Sequence, residues 1–454
     1  MSAARRYQQA LERLAAIPAG MRYEVGEKRI AFLRQILVYL GFDQLTGTII
    51  RVAGTNGKGS TSAMTGQVLQ EAGYSVGVFS SPFLFEVTEE INYNGVMIGQ
   101  EAFADALERL ETVLDEHDLT LTGDISEFEA TFLVAMAFYI EQNPDYLVLE
   151  VGLGGEFDAT NAVPRSDYAI FTRIGLDHTR ILGDTVTKIA QTKMNMIRPG
   201  ETVVNYANQR PAVNQVLETI TSQRHNPVVS ASAVTLTKVD RQADATYIDL
   251  TVKDVTITDL ALKLRGEYQL ENLKTVVALW YYWTHAKHLP ISEDDLKAGI
   301  ANSQIAGRFE VLRTKPNYFI VDGAHNPDGI GALIDTLNRN FADYRKVLII
   351  GFLADKDTVR LVQDLAALSD AAFIVTTPAN EERQLQADQL YDQLTEFVDA
   401  RQVVSIPDPV EAVNYANQHF QDAHDVIIGT GSFYLVKEVI KAVRALPENP
   451  LKKE

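Results

Sequence analysis

Short apolar runs recur along this chain with helical stretches between them, and that alternation restricts the fold more than any other feature. The early runs are Thr48–Ala53, Val76–Ser80, Tyr146–Val151, Tyr168–Thr172 and Thr202–Asn205. Between them, Ile30, Leu33, Leu37 and Leu40 share one helix face, as do Phe103, Ala106, Leu107, Leu110 and Leu114. The pattern predicts a mostly parallel sheet covered by helices. From Ser230 to Leu264 the texture changes, and alternating residues in Thr246–Val252 and Val255–Leu260 predict antiparallel strands. A helix is expected from about Leu270 to Lys287. A second strand–helix series follows at Tyr318–Val321, Lys346–Gly351, Ala372–Thr376, Gln402–Ile406 and Asp425–Gly429. The expected organisation is a larger α/β domain over 1–300, a hinge linker over 301–308 and a smaller α/β domain over 309–454. A cleft between two such domains is a natural substrate site.

Composition narrows the function. The 454 residues are 46% hydrophobic and 22% charged, enough for a substantial core. There is no cysteine, which excludes disulfides, thiolate metal sites and cysteine nucleophiles and fits a reducing cytoplasm. The N-terminus, Met1 to Gly20, reads as polar and helical without the apolar core of a signal peptide. No stretch approaches the roughly 20 apolar residues of a membrane span. The net charge of −19 argues against nucleic acid and anionic membranes as partners. An anionic substrate needs a local positive site within this negative field. The charged tail Pro447–Glu454 is expected to fray.

Gly54-Thr55-Asn56-Gly57-Lys58-Gly59-Ser60 directly follows the run Thr48–Ala53 and opens a helix that ends by Gly73. Glycines let backbone N–H groups approach phosphates, and a helix N-terminus adds partial positive charge. Lys58 supplies a mobile cation and Ser60 a hydroxyl that can reach Mg²⁺. The segment departs from G-x-x-x-x-G-K-[ST]: two residues separate the first glycines, and Gly59 intervenes before Ser60. Glu150 ends an apolar run, where α/β folds place ligands, and His178 follows another run at the same sheet edge. Lys193 lies in the apolar stripe Val186, Ile189, Ala190, Met194 and Ile197. A lysine facing inward must pair, lower its pKa or be modified, unless it snorkels out of the helix.

The phosphate loop resembles that of the Mur-ligase superfamily, specifically its folylpolyglutamate synthase / dihydrofolate synthase branch. Further segments match in order: Ser80-Ser81-Pro82-Phe83, Glu150-Val151-Gly152-Leu153-Gly154-Gly155, Asp158-Ala159-Thr160-Asn161, Gly175-Leu176-Asp177-His178-Thr179, Leu182-Gly183-Asp184-Thr185, Gly307-Arg308-Phe309-Glu310 and Asp322-Gly323-Ala324-His325-Asn326-Pro327. The resemblance covers about Gly26 to Ser432. It implies an N-terminal P-loop-containing parallel-sheet domain and a smaller C-terminal Rossmann-like α/β domain. It also implies ATP-dependent ligation of L-glutamate to a folate or to dihydropteroate through an acyl phosphate, in a cytoplasmic monomer. ATP would meet Thr55, Asn56, Gly57, Lys58, Gly59, Ser60, Gln269, Asn272, Arg308 and Asp322. Two Mg²⁺ ions are implied, one at Ser60 and a second at Ser81, Glu150 and His178, with Lys193 carbamylated to help hold a metal. Phe83, Glu127, Phe128 and Ser432 would touch substrates, and Lys58, Lys193 and His325 would serve catalysis. The segment Asp124–Phe132, with Glu129, is expected to line the pterin pocket. The domains are expected to close on substrates.

The chain departs from the family at Glu90, where an arginine is usual, and at Glu156, where a basic residue is common. The family's Lys-Ala-Gly-Ile reads Lys193-Met194-Asn195-Met196. The first two changes put acid where a polyanionic folate would enter. They raise the alternative of a paralogue with a non-folate acyl acceptor. A cell-wall Mur ligase is a poorer match, because those enzymes place a UDP-binding domain ahead of the loop and 53 residues precede Gly54. A non-catalytic nucleotide-binding regulator would not need Glu150, His178 and Lys193 together.

Overall fold

The computed structural model describes residues 2–18, 26–242 and 244–446; the segment 447–454, expected to fray, lies outside the described residues. By its contacts the chain forms two units. The first takes the described residues up to Gly175, then Thr179–Lys263 and Glu271–Gln304. The second takes Leu176–His178, Leu264–Leu270 and the described residues from Ile305 onward. Two short excursions thus leave the first unit's sequence and pack with the second.

The first unit holds β1 (Thr48–Ala53), β2 (Val76–Phe79), β3 (Ile91–Tyr93), β4 (Val96–Met97), β5 (Tyr146–Glu150), β6 (Tyr168–Phe171), β7 (Thr202–Asn205) and β8 (Val228–Ser230). They form one sheet in the order β4-β3-β2-β5-β1-β6-β7-β8. All pairings are parallel except those of β3 with β2 and with β4. Every residue of β5 and β6 is buried, as strands covered on both faces require. The β3–β4 hairpin turns at Asn94-Gly95, both with positive φ. Its strands are too short to stand out as apolar runs.

The antiparallel texture resolves into β9 (Val234–Arg241), β10 (Thr246–Val252) and β11 (Val255–Leu262), a separate three-stranded sheet in the order β11-β10-β9. The following helix spans Tyr268–His285.

The second unit holds β12 (Glu310–Arg313), β13 (Tyr318–Asp322), β14 (Arg345–Ile350), β15 (Ala372–Val375), β16 (Val403–Ser405) and β17 (Asp425–Thr430), in the order β12-β13-β17-β14-β15-β16. Only β12 runs antiparallel. It escaped the sequence reading because its four residues are all half-buried and carry no apolar run. The second unit has its own apolar core, from Phe309 and Ile320 through Ile428.

Candidate active site

The carboxyl ends of β2, β5 and β1 lie side by side in the first sheet. Phe79 pairs with Leu149, and Val52 pairs with Glu150. Ser81, Glu150 and the phosphate loop therefore leave one edge of the sheet on three neighbouring strands. The helix Lys58–Glu71 starts directly after Gly57, whose φ of 91° is in the left-handed region. A Cβ at Gly57 would stand 2.4 Å from Asn272 Oδ1, so glycine is required there twice over, for conformation and for space.

Strand β6 anchors the loop from the other side. Thr55 and Asn56 N–H groups both donate to Arg173 O, at 2.8 and 3.2 Å. Thr55 Oγ1 donates to Gly175 O at 3.1 Å. Two amides of the loop are thus bound to the protein. Helical hydrogen bonding is under way by Thr61, whose N–H donates to Gly57 O. The N–H groups of Lys58, Gly59 and Ser60 form the opening turn, the part of a helix that attracts anions. Lys58 Nζ donates to Thr55 O at 3.3 Å, which folds the side chain back over the loop.

Lys193 faces inward as its position in the apolar stripe predicts: it is 4% exposed, in the helix Val186–Met194, and its Nζ donates to Gly54 O at 2.9 Å. Glu150 is 3% exposed and Ser60 is buried. A buried hydroxyl and a buried carboxylate beside the phosphate loop are hard oxygen donors, which suits Mg²⁺. Among the described residues there is no group of three or more His, Cys, Asp or Glu fit to hold a metal. His178 packs with the second unit, and its Nε2 lies 3.8 Å from Asp177 Oδ2.

Of the residues expected near the acyl substrate, Phe83 is 37% exposed and Glu127 is exposed at the start of the helix Glu127–Gln142. Phe128 packs against Gly152 and Phe79. Glu129 is buried. It accepts from Ser126 N–H and Oγ in a capping box and from Arg29 Nε at 2.7 Å. Burial pushes its carboxyl up, but Arg29 and Ser126 outweigh that and hold it below the usual range.

Both acidic departures accept hydrogen bonds from the protein. Glu90 is 6% exposed, and its Oε1 accepts from Phe83 N–H at 3.1 Å. With Glu89, which accepts from the N–H groups of Leu84, Phe85 and Glu86, it braces the loop after β2 from within. Burial pushes the Glu90 carboxyl up to about 8, and Glu150 and Glu127 add to the shift. Glu156 accepts from Asn195 Nδ2 at 2.9 Å.

In the second unit the carboxyl ends of β13, β17 and β14 are neighbours. Asp322, ending β13, accepts from Phe309 N–H, Ala324 N–H and Tyr268 Oη, each at 2.8 Å. Burial raises its pKa, opposed by Tyr268 and Arg308. Ser432, after β17, is the N-cap of the helix Phe433–Ala445, its Oγ accepting from Leu435 N–H at 3.2 Å. Gln269 is fully buried in the first turn of the helix Tyr268–His285, and Asn272 is buried one turn on. The Arg308 guanidinium lies over the Phe433 ring, 4.3 Å from its centroid.

The fold and its loops now stand beside those of known proteins. The Mur ligase middle domain matches residues 119–280, and the Mur ligase glutamate ligase domain matches residues 307–433. Folylpolyglutamate synthase of Lacticaseibacillus casei is 30% identical over 347 residues, which are 76% of this chain and 80% of that protein. The chain belongs to the folylpolyglutamate synthase / dihydrofolate synthase family of Mur ligases. The dihydrofolate synthase/folylpolyglutamate synthase of Bacillus subtilis is 28% identical over 419 residues, 91% of this chain and 94% of that one. The solved structure of E. coli FolC in complex with DHPP and ADP superposes with a TM-score of 0.81 at 26% identity, covering 98% of this chain and 99% of that chain.

The structure adds functional candidates to this ligase that sequence reasoning passed over. Asp177 is half-buried and accepts from Lys356 Nζ at 2.7 Å, Asn326 Nδ2 at 3.0 Å and the His178 N–H at 2.8 Å, with His325 Nε2 at 3.5 Å. Burial pushes its carboxyl up, but His325, Lys356 and His178 together hold it far below the usual range. In the sequence Asp177 stands directly before His178, with no periodicity or spacing of its own to mark it. Lys356 follows β14 in a segment without apolar periodicity. Fully buried Arg51, in β1, donates to Glu201 Oε1 at 2.8 Å, Met196 O at 2.9 Å and Asn161 Oδ1 at 2.6 Å. Asp158, of the Asp-Ala-Thr-Asn segment, holds Leu153 N–H at 2.7 Å and so shapes the glycine loop after β5.

Proposed function

We propose that this ligase uses ATP to join the amine of L-glutamate to the carboxylate of a folate, of dihydropteroate, or of both. The observation that carries the reading is the gathering of the phosphate loop, Glu150 and the Ser81 loop at the ends of three adjacent strands. ATP-dependent ligation has two steps. An acid oxygen attacks the γ-phosphorus, the bond to the β–γ bridging oxygen breaks, and ADP leaves an acyl phosphate. The amine of glutamate then attacks the acyl carbon, loses a proton and expels inorganic phosphate.

Most of the work is positioning and charge neutralisation. Lys58 and the amides of the opening helical turn hold the triphosphate, and Arg308 adds a planar donor fork for a phosphate oxygen. Asn272 and Gln269 serve the base, and Asp322 serves the ribose. Phe83 and Phe128 give the acyl substrate apolar surface, with Glu127 at the rim. Ser432 is assigned to the incoming amino acid. His325 Nδ1 donates to Gly323 O at 2.7 Å, which fixes the ring so that Nε2 faces the polar cluster around Asp177.

Ser60, Ser81, Glu150, His178 and Lys193 are the residues assigned to two Mg²⁺ ions, which when bound neutralise the phosphates. A carbamylated Lys193 would present oxygens in place of a buried ammonium, which suits a cation. Among the described residues no helix is long and apolar enough to cross a membrane.

The test is ADP release by the purified protein with ATP, Mg²⁺ and L-glutamate, supplied with dihydropteroate or tetrahydrofolate in separate reactions. Turnover with either acid, lost by roughly 10³-fold in Lys58→Ala, is the expected result. No ADP release with any pterin acid, or full turnover in Lys58→Ala, refutes the reading.

A further inference from the structure

We propose that Phe433 is a positioning residue of the ligation, its ring fixing both the Arg308 guanidinium and the His325 imidazole. The proposal rests on the phosphate role given to Arg308 above. Three observations meet at this ring. Arg308 stacks over it at 4.3 Å from the centroid. His325 meets it edge to face, with ring centroids 6.0 Å apart and planes at 62°. Gly323 lies against it so closely that a Cβ there would stand 2.4 Å from Phe433 Cζ and 3.1 Å from Arg308 Nη1. The glycine between Asp322 and His325 is the space that admits both the ring and the guanidinium.

The chemistry explains why an aromatic face serves here. A guanidinium carries its five N–H donors in its plane, so stacking occupies the face and leaves the donor edge for phosphate. An acidic partner would hold the same cation by that edge and compete with the ligand. Cation–π attraction therefore orients Arg308 without using the groups that recognise phosphate. The ring is itself placed by the fold. Phe433 opens the helix Phe433–Ala445, directly after its N-cap Ser432 at the end of β17, and β17 pairs with β13, which delivers Asp322 and His325. One side chain thus ties a linker arginine to the turn after β13. Leucine at 433 would fill similar space but offer no π face.

The test is isothermal titration of the non-hydrolysable nucleotide AMPPCP into the Mg²⁺-supplemented full-length protein. Wild type is compared with Phe433→Leu, Phe433→Tyr, Arg308→Ala and the double variant Phe433→Leu/Arg308→Ala. Phe433→Leu is expected to weaken AMPPCP binding roughly 3- to 10-fold, while Phe433→Tyr, which keeps the ring, stays within about twofold. In the Arg308→Ala background the leucine change is expected to add less than about twofold, because it acts through the arginine. Thermal melts of each variant separate this outcome from general loosening: the tyrosine and leucine variants should melt alike and differ in binding.

Undiminished or tighter binding by folded Phe433→Leu overturns the proposal, since the ring then does nothing for Arg308 or parks it away from phosphate. An equal loss with and without Arg308 overturns it too. If Phe433→Leu is too unstable to titrate, Phe433→Met, apolar and unbranched, takes its place under the same criteria. A wild-type protein that binds no AMPPCP overturns the nucleotide reading itself and the proposal with it, whereas wild-type binding with an unaffected leucine variant overturns the proposal alone.

Discussion

At the scale of single residues, Glu90 shows what burial does to a carboxyl that the sequence presents as a surface charge. Its pKa rises to about 8, first through loss of solvent and then through the carboxylates of Glu150, Glu127 and Glu89, against the opposing hydrogen bond from Phe83. Its ordinary value is 4.5. Between these two values the folded chain holds a proton on Glu90 that the unfolded chain has lost. Stability from this group is therefore full below about pH 4.5, declines as pH rises through the window, and is gone above about pH 8. Glu90→Gln keeps an oxygen for the Phe83 N–H but cannot ionise. Its melting temperature relative to wild type is expected to rise from pH 5 to pH 8.5, measured by thermal melts in metal-free buffer. Parallel pH profiles for the two proteins would show that Glu90 ionises freely in the folded state.

Among elements, the decisive joint is the one that Arg51 makes. It extends from β1, the strand that feeds the phosphate loop, to Asn161 of the 3-10 turn Ala159–Ala162, to Met196 just beyond the Lys193 helix, and to Glu201 before β7. Arg51 and Glu201 side chains are both fully buried. Removing Arg51 leaves the buried Glu201 charge held only by the Ser166 hydroxyl and the Arg198 N–H, a loss of roughly 3–5 kcal/mol. Arg51→Ala is expected to lower stability by that order in denaturant titration, and a loss below about 1 kcal/mol would mean that water reaches Glu201. Nothing in the sequence pointed to this joint. Arg51 interrupts an otherwise apolar run and reads as a strand residue, while its partners lie 110 to 150 positions away. Asp177 and Lys356 are similar, separated by 179 positions. Lys193 was legible because helical period alone turns it inward, and β5 was legible because a strand covered on both faces reads as a near-continuous apolar run, here broken only by its last residue, Glu150. The phosphate loop was legible as chemistry, but the commitment of its Thr55 and Asn56 amides to Arg173 depends on where β6 pairs.

For the molecule as a whole, the governing quantity is a net charge of −19 set against substrates that are themselves anions. Two electrostatic effects oppose each other as ATP arrives. The long-range field of the acidic surface repels it, and the short-range contacts proposed at Lys58 and the opening helical turn attract it. Salt acts on the two unequally. At an ionic strength of 0.1 M the screening length is about 10 Å, so interactions across the molecular surface are largely removed while those at contact distance persist. The repulsive term is therefore the one that salt abolishes, and encounter is the step it governs. The association rate of a fluorescent ATP analogue, followed by stopped flow, is expected to rise about two- to fivefold between 20 and 200 mM KCl, with the dissociation rate changing less. A rate that falls with salt would mean that the positive site steers ATP from beyond the screening length, and that the acidic surface is turned away from the approach path.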